Sequence, residues 1–185
     1  MLDQGTEGQQ LLEQAKMHYK LASTAMPCTL ILNNYAWFLA ICPVTSLRDA
    51  DKAVSLAQQA ISMTPDEGTF WNTLGVAYYR KGDAKQAIKA LDRSVKLRNG
   101  GDAFDWFFLA MAHWQMGTPK DKETARTYYW KAVKNLEDTN IYTEPVWPHC
   151  LEAAAFLGID PPEHEEKDCS QKSVPKKDLR AGVGK

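Results

Sequence analysis

One stretch limits what this chain can fold into more than any other: TFWNTLGVAYYRKGDAKQAIKALDRSV, beginning at Thr69. Trp71, Leu74, Gly75 and Tyr78 stand at a W-x-x-L-G-x-x-Y spacing; Ala87 follows twelve residues after Gly75, and then come Leu91 and Ser94. The same frame fits three more times. Tyr35, Ala36 and Leu39 take the places of Leu74, Gly75 and Tyr78, and Ala53, Ala57, Ala60 and Pro65 complete that unit after a turn five residues longer. Trp106, Leu109, Ala110 and His113 form another first half, with Ala125, Tyr129 and Ala132 as the second after a turn three residues longer. Ala15, Tyr19, Ala22 and Pro27 reproduce the second half alone. A hairpin repeated in this way cannot bury its apolar face by itself and must stack its copies.

Apolar residues recur at three and four from about Gln9 to Gly158, and clean two-residue alternation is scarce, so helices dominate and almost no sheet is expected. Breakers at Pro27, Cys42 to Ser46, Thr64 to Gly68, Gly82, Asn99 to Asp102 and Gly117 to Lys120 divide the pattern into short helices. Gly75, Ala36 and Ala110 are expected to face Ala87, Ala53 and Ala125, where larger side chains would push the helix axes apart. Trp71, Tyr78, Leu91, Trp106 and Tyr129 would fill the gaps between hairpins, each contributing roughly 1.5–3 kcal/mol on burial. Asp83 reads as an N-cap, and Pro27 and Pro65 as stops.

This pattern resembles the tetratricopeptide repeat over about Gln9 to Asp138. The resemblance implies an all-α fold: an α-α superhelix of antiparallel helical hairpins with a C-terminal capping helix. It divides the chain into an N-terminal helix at 1–28, the second half of a repeat; three hairpins at 29–138; a capping segment and helix at 139–160; and a disordered tail at 161–185. In the capping segment Glu144 to Pro148 reads as an extended joint, followed by a helix with an apolar face of Cys150, Leu151, Ala154, Ala155 and Leu157, which Tyr142 and Trp147 help to cover. The wording NNYAWFLAICP, LGVAYYRKGDAKQAIKALDRSV and GGDAFDWFFLAMAHWQMG also looks like the repeat segments attached to multidomain bacterial serine/threonine kinases. The chain itself carries no phosphate-binding glycine loop, H-R-D or D-F-G.

In that family the first helix of each hairpin lines a concave groove. The positions that carry over are Asn33 and Trp37; Asn72, Val76, Tyr79 and Arg80; and Phe107, Met111 and Trp114. Such a groove takes an extended segment or a helix of a protein partner. Asn33 and Asn72 would hydrogen-bond a peptide backbone, while Trp37, Tyr79 and Trp114 would supply rigid aromatic anchors. Phe107 and Trp114 could equally be buried under the C-terminal helix, and Trp37 could pack on the first helix. Family members that grip the terminal carboxylate of chaperones use a Lys, Asn and Arg clamp. The corresponding positions here hold Asn33, Trp37, Thr73, Phe104 and Phe108, which favours a partner with apolar or aromatic side chains.

Composition narrows the remaining classes. A net charge of -1 over 185 residues gives no field for nucleic acid or an anionic membrane, so neither is expected as a partner. Cys28, Cys42, Cys150 and Cys169 form no C-x-x-C pair, which fits reduced thiols in a cytoplasm. Met1 to Gln10 is polar, without the basic start, apolar core and small-residue cleavage site of an export signal, and no window approaches eighteen consecutive apolar residues, so neither export nor a membrane span is expected. His149 and Cys150, with His164 and Cys169, lack the paired spacing of a zinc site, so no metal or cofactor is expected. His113 is expected to be a core packing residue and His18 to face solvent. Asp and Glu are scattered singly, without a pair placed for acid and base work, so no enzyme is expected.

Three functional readings follow. The first is a non-enzymatic adaptor binding a segment in its groove. The second is the regulatory or scaffolding part of a larger signalling protein. The third is a homodimer formed through the N-terminal half-repeat.

Overall fold

The computed structural model describes residues 4–139 and 146–162, and within them every regular element is helical. In chain order these are α1 (Gln4–Ala25), α2 (Thr29–Ile41), α3 (Ala50–Met63), α4 (Gly68–Lys81), α5 (Ala84–Leu97), α6 (Ala103–Met116), α7 (Pro119–Thr139) and α8 (Trp147–Leu157), with a 3-10 turn at Thr45–Leu47. Helices α2–α3, α4–α5 and α6–α7 form three antiparallel hairpins stacked in succession, and α1 packs on α2 ahead of them. This is the helical-repeat superhelix that the resemblance implies.

Local chemistry sets the boundaries. Asp49, Asp83 and Asp102 accept backbone N–H groups from Lys52, Gln86 and Asp105, satisfying donors that a helix start leaves open. Gly82 and Gly117 end α4 and α6 at φ of 88° and 82°, left-handed values that only glycine adopts without cost. Helices α1 and α3 stop at Ala25 and Met63, just short of Pro27 and Pro65.

Packing follows the size code. A Cβ on Gly75 would lie 2.5 Å from Leu91 Cγ and 3.2 Å from the Ala87 carbonyl oxygen, so α4 and α5 approach as closely as they do because that atom is missing. Ala36, Ala53, Ala87, Ala110 and Ala125 are all fully buried. Leu91, Tyr129 and Trp106 are buried between hairpins, whereas Trp71 and Tyr78 are only half-buried. Their polar atoms account for the difference: Trp71 Nε1 donates to the Pro65 carbonyl at 2.7 Å, and Tyr78 Oη accepts from Gln58 Nε2 at 2.9 Å. Both tips therefore stay near the surface.

Three expectations need correction. The helix after α7 starts at Trp147, so Trp147 and Pro148 belong to its first turn, where proline needs no N–H partner. Its buried face is His149, Cys150, Ala153, Ala154 and Leu157, while Leu151 and Ala155 face solvent. His113 is not a core residue: its half-buried ring stacks on Tyr128, and its Nδ1 lies 3.2 Å from Asp121 Oδ1, tying the α6–α7 hairpin. Glu144, Pro145, Tyr142 and the tail from 163 onward lie outside the described residues.

Candidate protein-binding groove

The first helices α2, α4 and α6 stand side by side, and α8 lies across them. In the stack, α4 packs more heavily on α3 than on α2, and α6 more heavily on α5 than on α4. Helix α8 reverses this preference, leaning on α6 more than on α7. It is thereby turned toward the side formed by the first helices, and its His149, Glu152 and Phe156 meet all three of them.

Each contact is defined. Arg80, in the last turn of α4, holds Glu152 with both guanidinium nitrogens: Nη1 donates to Oε1, and Nη2 to Oε2 at 2.7 Å. This two-pronged geometry is the strongest arrangement of a carboxylate on arginine. The guanidinium also lies 5.4 Å from the Tyr79 ring centroid and 5.5 Å from that of Phe108, so the cation rests against aromatic faces. The His149 ring is buried among Phe108, Phe104 and Trp37, at centroid distances of 5.0, 5.8 and 6.4 Å. Trp37 and Phe104 meet edge-on at 5.8 Å, Tyr79 and Phe108 at 5.7 Å, and Phe156 covers Tyr79 at 6.4 Å.

Electrostatics are consistent with that geometry. Burial alone would raise the Glu152 pKa, but the hydrogen bonds from Arg80 and its positive charge overcome it and hold the carboxyl at about 2. His149 Nδ1 is 3.6 Å from Glu152 Oε2, too long for a hydrogen bond. Burial, and then the Glu152 charge, push the Tyr79 phenol up to about 12. The Arg48 pKa is lowered by burial and then by the charge of Arg80.

The nine residues expected to line the groove do not share one environment. Trp37, Tyr79 and Arg80 lie on the strip just described. Val76, Phe107 and Met111 are fully buried and form part of the core. They sit there because α4 and α6 are enclosed by helices on more than one side, so the register of a one-sided surface helix fails for them. Asn72 is also buried, and its Nδ2 donates to Asp105 Oδ1 at 2.8 Å, joining α4 to α6 instead of presenting an amide to a ligand. Asn33 is buried too, with its Oδ1 lacking a hydrogen-bond partner. Trp114 turns toward its own hairpin partner, with Lys122 Nζ and the Arg126 guanidinium 5.2 and 5.4 Å from its ring.

Sequence reasoning missed Phe104, Phe108, His149 and Glu152 as parts of the site. The two phenylalanines stand where the chaperone-binding clamp would have placed polar groups. The signal for α8 was its spacing, with His149, Glu152 and Phe156 at i, i+3 and i+7 on one helical face.

Asp105 anchors the remaining polar cluster. Besides Asn72 it accepts from Arg98 Nη1 at 2.9 Å and from the Asp102 backbone N–H at 3.1 Å, while Arg98 also reaches Asp102. Burial pushes the Asp105 carboxyl upward in spite of these donors. Every group in the cluster is engaged within the stack, so its role is to fix one hairpin on the next.

The class of protein is thus a stacked helical-repeat array whose first helices offer aromatic rings and a cation. Residues 45–103 match the tetratricopeptide repeat family, from the 3-10 turn through the start of α6. Repeats of this kind generally mediate protein–protein interaction and are typically non-catalytic. No curated protein matches this chain. Among the described residues, no helix is long and apolar enough to cross a membrane.

Proposed function

We propose that this chain is a non-enzymatic interaction module that binds a peptide or protein segment on the strip formed by Trp37, Tyr79, Arg80, Phe104 and Phe108. The observation that carries this reading is that the strip already holds a helix: three successive first helices converge on α8 with rings and a two-pronged ion pair. Aromatic residues and arginine in desolvated positions dominate the energetics of protein interfaces. Affinity capture from lysate of the source cells, comparing the natural chain with Trp37→Ala and Tyr79→Ala, tests the reading. Loss of the captured protein is expected with both variants, and unchanged capture would remove the strip from consideration.

A second reading makes the chain a regulatory or scaffolding part of a larger bacterial signalling protein such as a serine/threonine kinase. What favours it is α1, where Leu11, Met17 and Leu21 are each about 60% exposed. A preceding hairpin would cover that apolar row. A second copy would cover it equally well and would double the mass found by light scattering, with Leu21→Glu restoring the monomer.

A further inference from the structure

Helix α8 can be read as a ligand already bound. It is short, and isolated helices below about 12–15 residues are marginal in water, so its helical state and its docking are one event. Beside an apolar face of Cys150, Ala153, Ala154 and Leu157 buried in the core, it presents chemically specific groups to the first helices: a ring at His149, a carboxylate at Glu152 and an exposed aromatic at Phe156.

The receiving surface asks for that chemistry. With α8 in place the Arg80 side chain is 12% exposed, and its Nε lacks a partner. A cation so far removed from water is costly unless an anion meets it. The rings of Trp37, Phe104 and Phe108 leave a slot that a planar side chain fills edge-on. Glu152 keeps 33% of its side chain in solvent, and Phe156 is 44% exposed. The joint is therefore open at its rim, where a competitor can begin to replace it.

We propose that this strip docks an acidic amphipathic helix of a protein partner, one presenting a ring, a carboxylate three residues later and an apolar or aromatic side chain four residues after that, and that α8 is its resident competitor. This rests on the groove reading above and adds the partner's chemistry and its regulation. The apparent affinity of any such helix is reduced by the fraction of molecules in which α8 occupies the strip.

A fluorescein-labelled synthetic peptide of residues 146–160, titrated with the full chain by fluorescence anisotropy, tests this. The Glu152→Lys chain is expected to bind the peptide about tenfold or more tightly than the natural chain, because its own α8 competes less. Adding Arg80→Glu should abolish the gain, and a peptide carrying Glu152→Lys should bind the chain with Arg80→Glu alone more tightly than the natural peptide does. Circular dichroism checks folding, and Glu152→Gln replaces Glu152→Lys if the latter is unfolded. Equal affinity for the natural and Glu152-substituted chains, absence of binding, or indifference to Arg80 each overturns the proposal. If the peptide fails while Trp37→Ala and Tyr79→Ala still abolish capture of a cellular protein, the helix chemistry falls and the groove stands; if capture is also indifferent, the groove falls with it.

Discussion

Helix α4 is held on two sides by different physics. Toward α5 the joint is made of volume: Gly75 has no side chain, Leu91 fills the space, and Ala87 lets its carbonyl come within reach. Toward α8 it is made of charge and rings, with Arg80 on Glu152 and Phe156 over Tyr79. The first joint is dry and has one solution for its shape. The second is partly wet, pairs the Arg80 guanidinium with Glu152, and on the proposal above would be made again by a helix with the same groups. Stability is concentrated in one and exchangeability in the other.

Three perturbations would sharpen or break that contrast. The largest effect is expected at Asp105, the point where charge has been moved into the stack itself. Asp105→Ala leaves Asn72 and Arg98 without their carboxylate and should cost about 3–4 kcal/mol of global stability in urea unfolding. A loss below 1 kcal/mol would mean that this cluster is no firmer than the α8 joint. Leu91→Ala opens a cavity against Gly75 and should cost about 3 kcal/mol. Its denaturation midpoint should fall while α8 stays docked to the remaining fold.

Acid should produce the smallest and most local effect. The Glu152 carboxyl is held at about 2 against 4.5 for an ordinary glutamate, so its contribution is complete above pH 4.5 and is lost as pH falls toward 2. With a third of the side chain in solvent, that contribution is about 1–2 kcal/mol. Amide exchange along 147–157 should therefore accelerate across that window before the hairpins open. Simultaneous opening of α8 and α4–α5 would show the two joints to be one.

The volume joints were legible in the sequence and the charge joint was not. A residue that must be small stands at the same place in each first helix, directly after Tyr35, Leu74 or Leu109, as Ala36, Gly75 and Ala110 do, and the N-cap at Asp83 is decided within three residues of itself. Arg80 and Glu152 are separated by 72 positions, and an ion pair imposes no period on the chain between them. The register that placed Val76, Phe107 and Met111 on a surface failed for a related reason. Helix α6 reads AFDWFFLAMAHW, apolar nearly all round, and such a helix is covered on every side. That composition was the available sign that something lies over the first helices, and α8 is what lies there.

A linear stack closes no long loops: each hairpin touches only its neighbours, and order can spread from any point along it. Helix α8 breaks that arithmetic. Its His149 and Glu152 need Trp37, Arg80 and Phe108 in place at once, so three hairpins must be assembled before it can settle. The entropy of that long closure falls at the final step. In folding time α8 is therefore expected to arrive last, and its protection from exchange should report that the whole array beneath it is complete.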